Sequence, residues 1–378
     1  MIKKFYLSYI FLIIIFIFPV LHIVIKDKSF SILENRYLEK DAPPFNFESF
    51  LSGEFTENLD NYIQDQFPLR DDFVSMKSYF EILLGRKDIN GVYLSKKNYL
   101  IEMFDSIDME TVNRNIELIN NLSKERNVSF ALIPTSTEIL KDYLPRFAWN
   151  VDQKKCIEYI QSKLSPNVNF INPYNILNKH KNEYIYYLTD HHYTSLGAYY
   201  CYLEFCKKYH LIPHNISYFN VKEVSNNFLG TLFAKVNLKN QKKDSIHIYE
   251  SDPKNKIKVD YITKTSDSLY DFSHLKIPND QYNLFLDRNH PLIKITTSVK
   301  NGNKICIVKD SFANSFVPFL IDHFQEIHII DLRFYSSNIN KYLDENNLNE
   351  VLLYYNLKNF SEEANLIFID NSKRKKED

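Results

Sequence analysis

Glycine is scarce. The 378 residues contain six, Gly53, Gly85, Gly91, Gly197, Gly230 and Gly302. Their spacing fits neither GxGxxG nor GxxxxGK[ST], which argues against the common phosphate-cradling loops and so against nucleotide-dependent chemistry. Excess charge of either sign is missing too. The 46 Lys and Arg residues against 47 Asp and Glu leave no electrostatic footprint for nucleic acid. The four cysteines, Cys156, Cys201, Cys206 and Cys306, form no CxxC, which removes the usual zinc and thioredoxin patterns. Their even number is compatible with disulfides in an oxidising compartment. Cys201 and Cys206, however, are too far apart along a predicted helix to bridge each other, and Cys306 lies in an apolar strand, so buried free thiols are the expected state. What is abundant is core material: 44% apolar and 15% aromatic residues, enough for one large or two modest folded domains.

The N-terminus suggests a compartment. An uncharged run from Phe5 to Ile25 follows Lys3-Lys4 and ends at Lys26-Asp-Lys28. At about 1.5 Å per residue such a run spans roughly 30 Å, a bilayer core. It is longer than a signal-peptide core, and no small-residue cleavage site follows. The expectation is a membrane anchor over residues 1–28, with the rest of the chain outside the cytoplasmic membrane.

Residues 29–90 read as a juxtamembrane helical segment, with helices predicted at about 48–66 and 70–84 on either side of Pro68. From residue 91 strands and helices alternate. A hairpin is predicted around Ser95–Asn98, helices at 109–126, 151–164 and 195–209, and strands at 128–133, 168–171, 304–308, 327–331 and 351–355. A further helix is predicted from about Ser311. Continuously apolar strands alternating with helices imply an α/β domain over 91–370 built on a doubly wound, mostly parallel sheet. Residues 371–378 form a charged tail.

Two segments invite a chemical reading. In Thr189-Asp190-His191-His192-Tyr193-Thr194 an acid lies close to two histidines in a loop, where a carboxylate can fix the tautomer of an imidazole. A metal site is the rival reading, but adjacent histidine side chains diverge. In Val308-Lys309-Asp310-Ser311-Phe312 a serine follows a strand's carboxyl end, where open α/β sheets bind ligands. The same serine is equally a plain helix N-cap. His290 and His323 read as structural.

The order of the motifs adds to this. Glu34-Asn-Arg36, Asp65-Gln-Phe-Pro-Leu-Arg70, Asn90-Gly-Val-Tyr93, Ile133-Pro-Thr-Ser136, Thr189-Asp-His-His-Tyr-Thr194-Ser-Leu-Gly-Ala198, Phe228-Leu-Gly-Thr231, Asn289-His-Pro291 and Lys309-Asp-Ser-Phe312 succeed one another. Together they resemble the DHHW protein family, a branch of SGNH-hydrolase-like proteins related to the alginate O-acetyltransferases AlgJ and AlgX. Tyr193 stands where the family motif has Trp. An aromatic is kept, so the change bears on packing or sugar stacking more than on catalysis.

The resemblance implies an SGNH-like fold with a Ser–His–Asp triad in permuted order: Asp190, His192 and Ser311, with His191 pointing elsewhere, to a backbone carbonyl. It implies an oxyanion donor from the Ser311 N–H, with Asn314, Asn289, Gly230 and Thr231 as candidates for the second. It implies no cofactor and no metal. The activity it suggests is O-acetylation of a secreted or cell-wall polysaccharide, with acetyl groups supplied by a multi-span membrane-bound O-acyltransferase. The alternatives are a carbohydrate esterase using the same residues, and a non-catalytic scaffold or glycan-binding component.

Overall fold

The computed structural model of the chain describes residues 6–251 and 255–369. The expected charged tail and the first residue of the expected apolar run, Phe5, lie outside them. The chain forms two compact units: Met1–Asn90 with Phe233–Asn240, and Gly91–Leu232 with Gln241–Asp378.

In the first unit the apolar N-terminal run forms the helix Tyr6–Val24, 19 residues long with Pro19 inside it. Among the described residues, no helix is long and apolar enough to cross a membrane. This corrects the span expected over Phe5–Ile25. The helix's end packs on protein of the same unit. Phe18 stacks on Phe67 with ring centroids 5.1 Å apart, and the His22 Nδ1 is 3.2 Å from the Gln66 carbonyl oxygen. The helices predicted at 48–66 and 70–84 are present as Phe47–Ser52, Glu54–Asp65 and Arg70–Leu83. Gly53, in the left-handed region at φ 87°, breaks the first from the second. Two of the ordered motifs meet here: Arg70 pairs with Glu34 at 2.6 Å and Arg36 with Asp65.

The second unit is built on an eight-stranded sheet. In chain order its strands are β1 (Asn127–Ile133), β2 (Val168–Ile171), β3 (Ile257–Tyr261), β4 (Thr265–Ser266), β5 (Leu292–Thr297), β6 (Lys304–Lys309), β7 (Glu326–Ile330) and β8 (Glu350–Asn356). Their spatial order is β4-β3-β5-β7-β6-β8-β1-β2. The strands from β7 to β2 are parallel, while β5, β3 and β4 extend one edge in antiparallel fashion.

The parallel strands are apolar throughout because both faces are covered. Side chains of a strand alternate between faces. Ile305, Ile307, Leu352 and Tyr354 accordingly enter one core, and Cys306, Val308, Leu353 and Tyr355 the other. The helix Ser195–Lys208 covers the first face with Tyr199, Tyr202 and Phe205. Met109–Leu122 and Gln153–Lys163 cover the second. All four cysteines are free and buried.

One expected element is much reduced. After β6 comes a turn and then only the short helix Ala313–Phe316, followed by a 3-10 turn containing Pro318. No long helix begins at Ser311, so its hydroxyl gains little from a helix dipole.

Candidate active site

Ser311 sits two residues beyond the carboxyl end of β6 and is 9% exposed. Its Oγ lies 2.7 Å from His192 Nε2. On the other side of the ring, His192 Nδ1 lies 2.5 Å from Asp190 Oδ1. That oxygen also accepts the His192 backbone N–H at 3.0 Å, which closes a tight local turn around the pair. Asp190, His192 and Ser311 thus form one hydrogen-bonded line. Both nitrogens of His192 are engaged in it, and the potential ligand atoms of Asp190, His191 and His192 lie within 4.8 Å of one another.

The second Asp190 oxygen receives the Thr231 N–H at 2.8 Å and its hydroxyl at 3.0 Å. Gly230 is a close-approach glycine, since a Cβ there would overlap the Asp190 side chain. Burial alone would raise the Asp190 carboxyl. The neighbouring His191 and His192 and the Thr231 bonds overcome this and hold it well below the usual carboxylate range. His192 moves the other way from a free imidazole: burial first, then His191, push it down to about 4 against the pull of Asp190. At neutral pH the line therefore holds an ionised acid beside an unprotonated base.

The other expected residues lie around this line in other roles than expected. His191 does not reach a backbone carbonyl. Its Nδ1 lies 2.7 Å from the Thr231 hydroxyl, and its ring lies against that of His192 with centroids 3.9 Å apart. Gly230 and Thr231 stand on the Asp190 side, away from an oxyanion position. Tyr193 is fully buried, which rules out sugar stacking. Its hydroxyl donates to the Phe312 carbonyl at 2.6 Å and lies 2.8 Å from the Tyr354 hydroxyl. Asn314 donates to Asn289 Oδ1 at 3.2 Å, and the same oxygen accepts from buried Lys309 Nζ at 2.6 Å. Asp310 uses Oδ1 to take the Phe312 N–H at 2.9 Å, so Asp310, and not Ser311, ties down the start of the turn.

Two contributors had no readable signal in the sequence. Tyr282 stacks flat on His192, centroids 3.8 Å apart and planes 10° apart, and its hydroxyl donates to the Ser311 carbonyl at 3.0 Å. Asp244 accepts the Leu188 and Thr189 N–H groups at 2.6 and 2.8 Å, together with the Tyr184 and Thr189 hydroxyls. The Thr189 hydroxyl in turn accepts the Gly230 N–H at 2.9 Å.

A family model described as DHHW protein matches residues 87–330. A solved DHHW family protein from Eubacterium siraeum is 26% identical, covering 75% of this chain and 96% of its own, with a TM-score of 0.64. Bacillus cereus PatB1, solved with a sulfonyl adduct, is 21% identical, covering 73% of this chain and 99% of its own, with a TM-score of 0.62. The O-acetyltransferase domain of Pseudomonas putida AlgJ is 11% identical, covering 72% of this chain and 93% of its own, with a TM-score of 0.47. No curated protein matches the chain.

Proposed function

This chain belongs to the DHHW protein family, and from that premise we propose that it is a serine-dependent O-acetyltransferase acting on a polysaccharide outside the cytoplasmic membrane. The observation that carries the reading is the Asp190–His192–Ser311 line, with His192 Nε2 2.7 Å from the serine oxygen. Ser311 Oγ attacks the carbonyl carbon of an acetyl donor while its proton passes to His192 Nε2. Asp190 stabilises the imidazolium, which returns the proton to the leaving group. The result is acetyl-Ser311. An acceptor hydroxyl then gives its proton to the same nitrogen and takes the acetyl group, and Ser311 regains its hydrogen. The developing oxyanion needs fixed donors. The Ser311 N–H is one. Asn289 is the candidate for the second, because Lys309 and Asn314 occupy its carbonyl oxygen and its Nδ2 remains to offer.

The donor belongs to the same proposal: a multi-span membrane-bound O-acyltransferase that delivers acetyl from the cytoplasmic side. The apolar N-terminal segment is consistent with export. Incubation of the protein with an activated acetyl ester, followed by digestion and mass spectrometry, should yield a peptide acetylated at Ser311. An oligosaccharide acceptor should discharge that label faster than water does. Discharge to water alone would make the protein an esterase, and a folded protein that no donor acetylates would return it to the scaffold reading.

A further inference from the structure

The sequence has a single tryptophan, Trp149, and it is not in the core. Its indole is 70% exposed, and two residues earlier Phe147 is 89% exposed. Neither is loosely placed. Trp149 Nε1 donates to the Asp105 carbonyl at 3.1 Å, and its own carbonyl accepts the Tyr93 hydroxyl at 2.7 Å. Phe147 holds a left-handed backbone at φ 68°, a conformation a bulky residue enters only when the surroundings enforce it. The Arg146 guanidinium lies 4.7 Å from its ring centroid. Two large aromatic rings are thus held out into solvent on one loop.

The indole's anchor ties the loop to the neighbourhood of a pocket. The helix Ser136–Ile139 and the 3-10 turn Lys141–Tyr143 separate this loop from the carboxyl end of β1, Ser311 follows the carboxyl end of β6, and Asn356 ends β8, which lies between β6 and β1 in the sheet. Ser311 and Asn356 lie at the edge where open α/β sheets receive ligands. A pocket there is lined by His191, Phe312, Thr135, Ser136, Glu102 and Phe104. Phe104 adjoins Asp105, which anchors the indole. The pocket lining is rich in hydroxyl and amide groups, and its charged members Glu102 and Lys358 pair at 3.0 Å. Aromatic rings beside a polar wall of balanced charge suit an uncharged sugar, whose C–H face packs on the negative face of an aromatic ring while its hydroxyls meet polar groups.

We infer that Trp149, with Phe147, is the stacking platform for a neutral glycan acceptor whose reacting hydroxyl enters the pocket beside His191. The inference rests on the acetyl-transfer reading for its reaction, but glycan binding can be measured without it. Because Trp149 is the only tryptophan, selective indole excitation reports this site alone. Titration of the full-length protein with linear glucose and N-acetylglucosamine oligomers should give a saturable fluorescence change with at least one of them. In transfer assays with the oligomer that binds, Trp149→Ala should raise the acceptor KM about fivefold to tenfold, the worth of one aromatic stacking contact. Trp149→Phe, which keeps a ring, should stay within about threefold of wild type. No saturable change with any oligomer, or a folded Trp149→Ala protein with the wild-type acceptor KM, would overturn the platform. A saturable change in a protein that never acetylates Ser311 would leave the platform standing and remove the transferase.

Discussion

A serine at position 311 has two roles open to its side-chain oxygen, capping the following turn or bonding the His192 ring. It takes the ring, and Asp310 takes the Phe312 N–H. Replacing Ser311 by Ala therefore removes no cap. Stability should stay within about 0.5 kcal/mol of wild type in chemical denaturation, while acyl transfer should fall at least about 10³-fold, the order of loss seen when a member of such a triad is removed. A Ser311→Ala protein that transfers acetyl normally would sink the mechanism. His192 carries a pH signature. A base held down to about 4 remains unprotonated far below the usual histidine range, so the acid limb of kcat/KM should centre near pH 4 instead of near 6.5. For stability, the unfolded state takes up the proton first, near 6.5, and the folded state only near 4. The contribution of this group is present above the higher value and is lost as pH falls toward the lower one. His323 and His328 are displaced the same way by burial, so His192→Gln should flatten the dependence of stability on pH across that window without abolishing it.

Among the elements, the strand Asp244–Ser251 matters to the site through its first residue. Asp244 gathers two N–H groups and two hydroxyls from residues 184–189, and burial pushes its carboxyl up to about 6 in spite of them. Asp244→Ala would strand those buried donors. It should cost about 3 kcal/mol in urea unfolding and lower kcat/KM further than the fraction unfolded accounts for, because the segment it releases leads directly into Asp190. A loss of activity that merely tracks unfolding would make Asp244 structural only. The same scale shows what could be read from the sequence. β6, β8 and β1 were legible because burial on both faces makes them unbroken apolar runs. β5, reading Leu-Ile-Lys-Ile-Thr-Thr, buries alternate residues, as half-covered antiparallel strands do, and a search for apolar runs passes over it. The site divides likewise. Asp190, His192 and Ser311 stand in short motifs that name their chemistry, whereas Tyr282 and Asp244 act across folds of the chain that no local pattern records.

In the unit that carries the sheet, cohesion comes from the two cores flanking it and not from covalent links. The four thiols are buried and unpaired. Burial pushes Cys156 up to about 11 and Cys201, Cys206 and Cys306 up to about 12, so thiolate is scarce at neutral pH. Native protein should resist iodoacetamide at all four positions, each should react once the chain is unfolded, and a reductant should leave the melting temperature unchanged. A shift on reduction would reveal a bridge. The spacing of Asp190, His192 and Ser311 along the chain has its own bearing on the order in which the site assembles. Asp190 meets His192 across a separation of 2 residues, whereas His192 meets Ser311 across 119. The acid and base can find each other in a nascent loop within microseconds, but the nucleophile arrives only when distant strands have been threaded side by side, the slow part of forming any parallel sheet. On the acetyl-transfer proposal, a chain being synthesised or refolded pairs its acid and base long before the serine they would activate is in place, so the acylating chemistry stays unassembled through the partly folded interval.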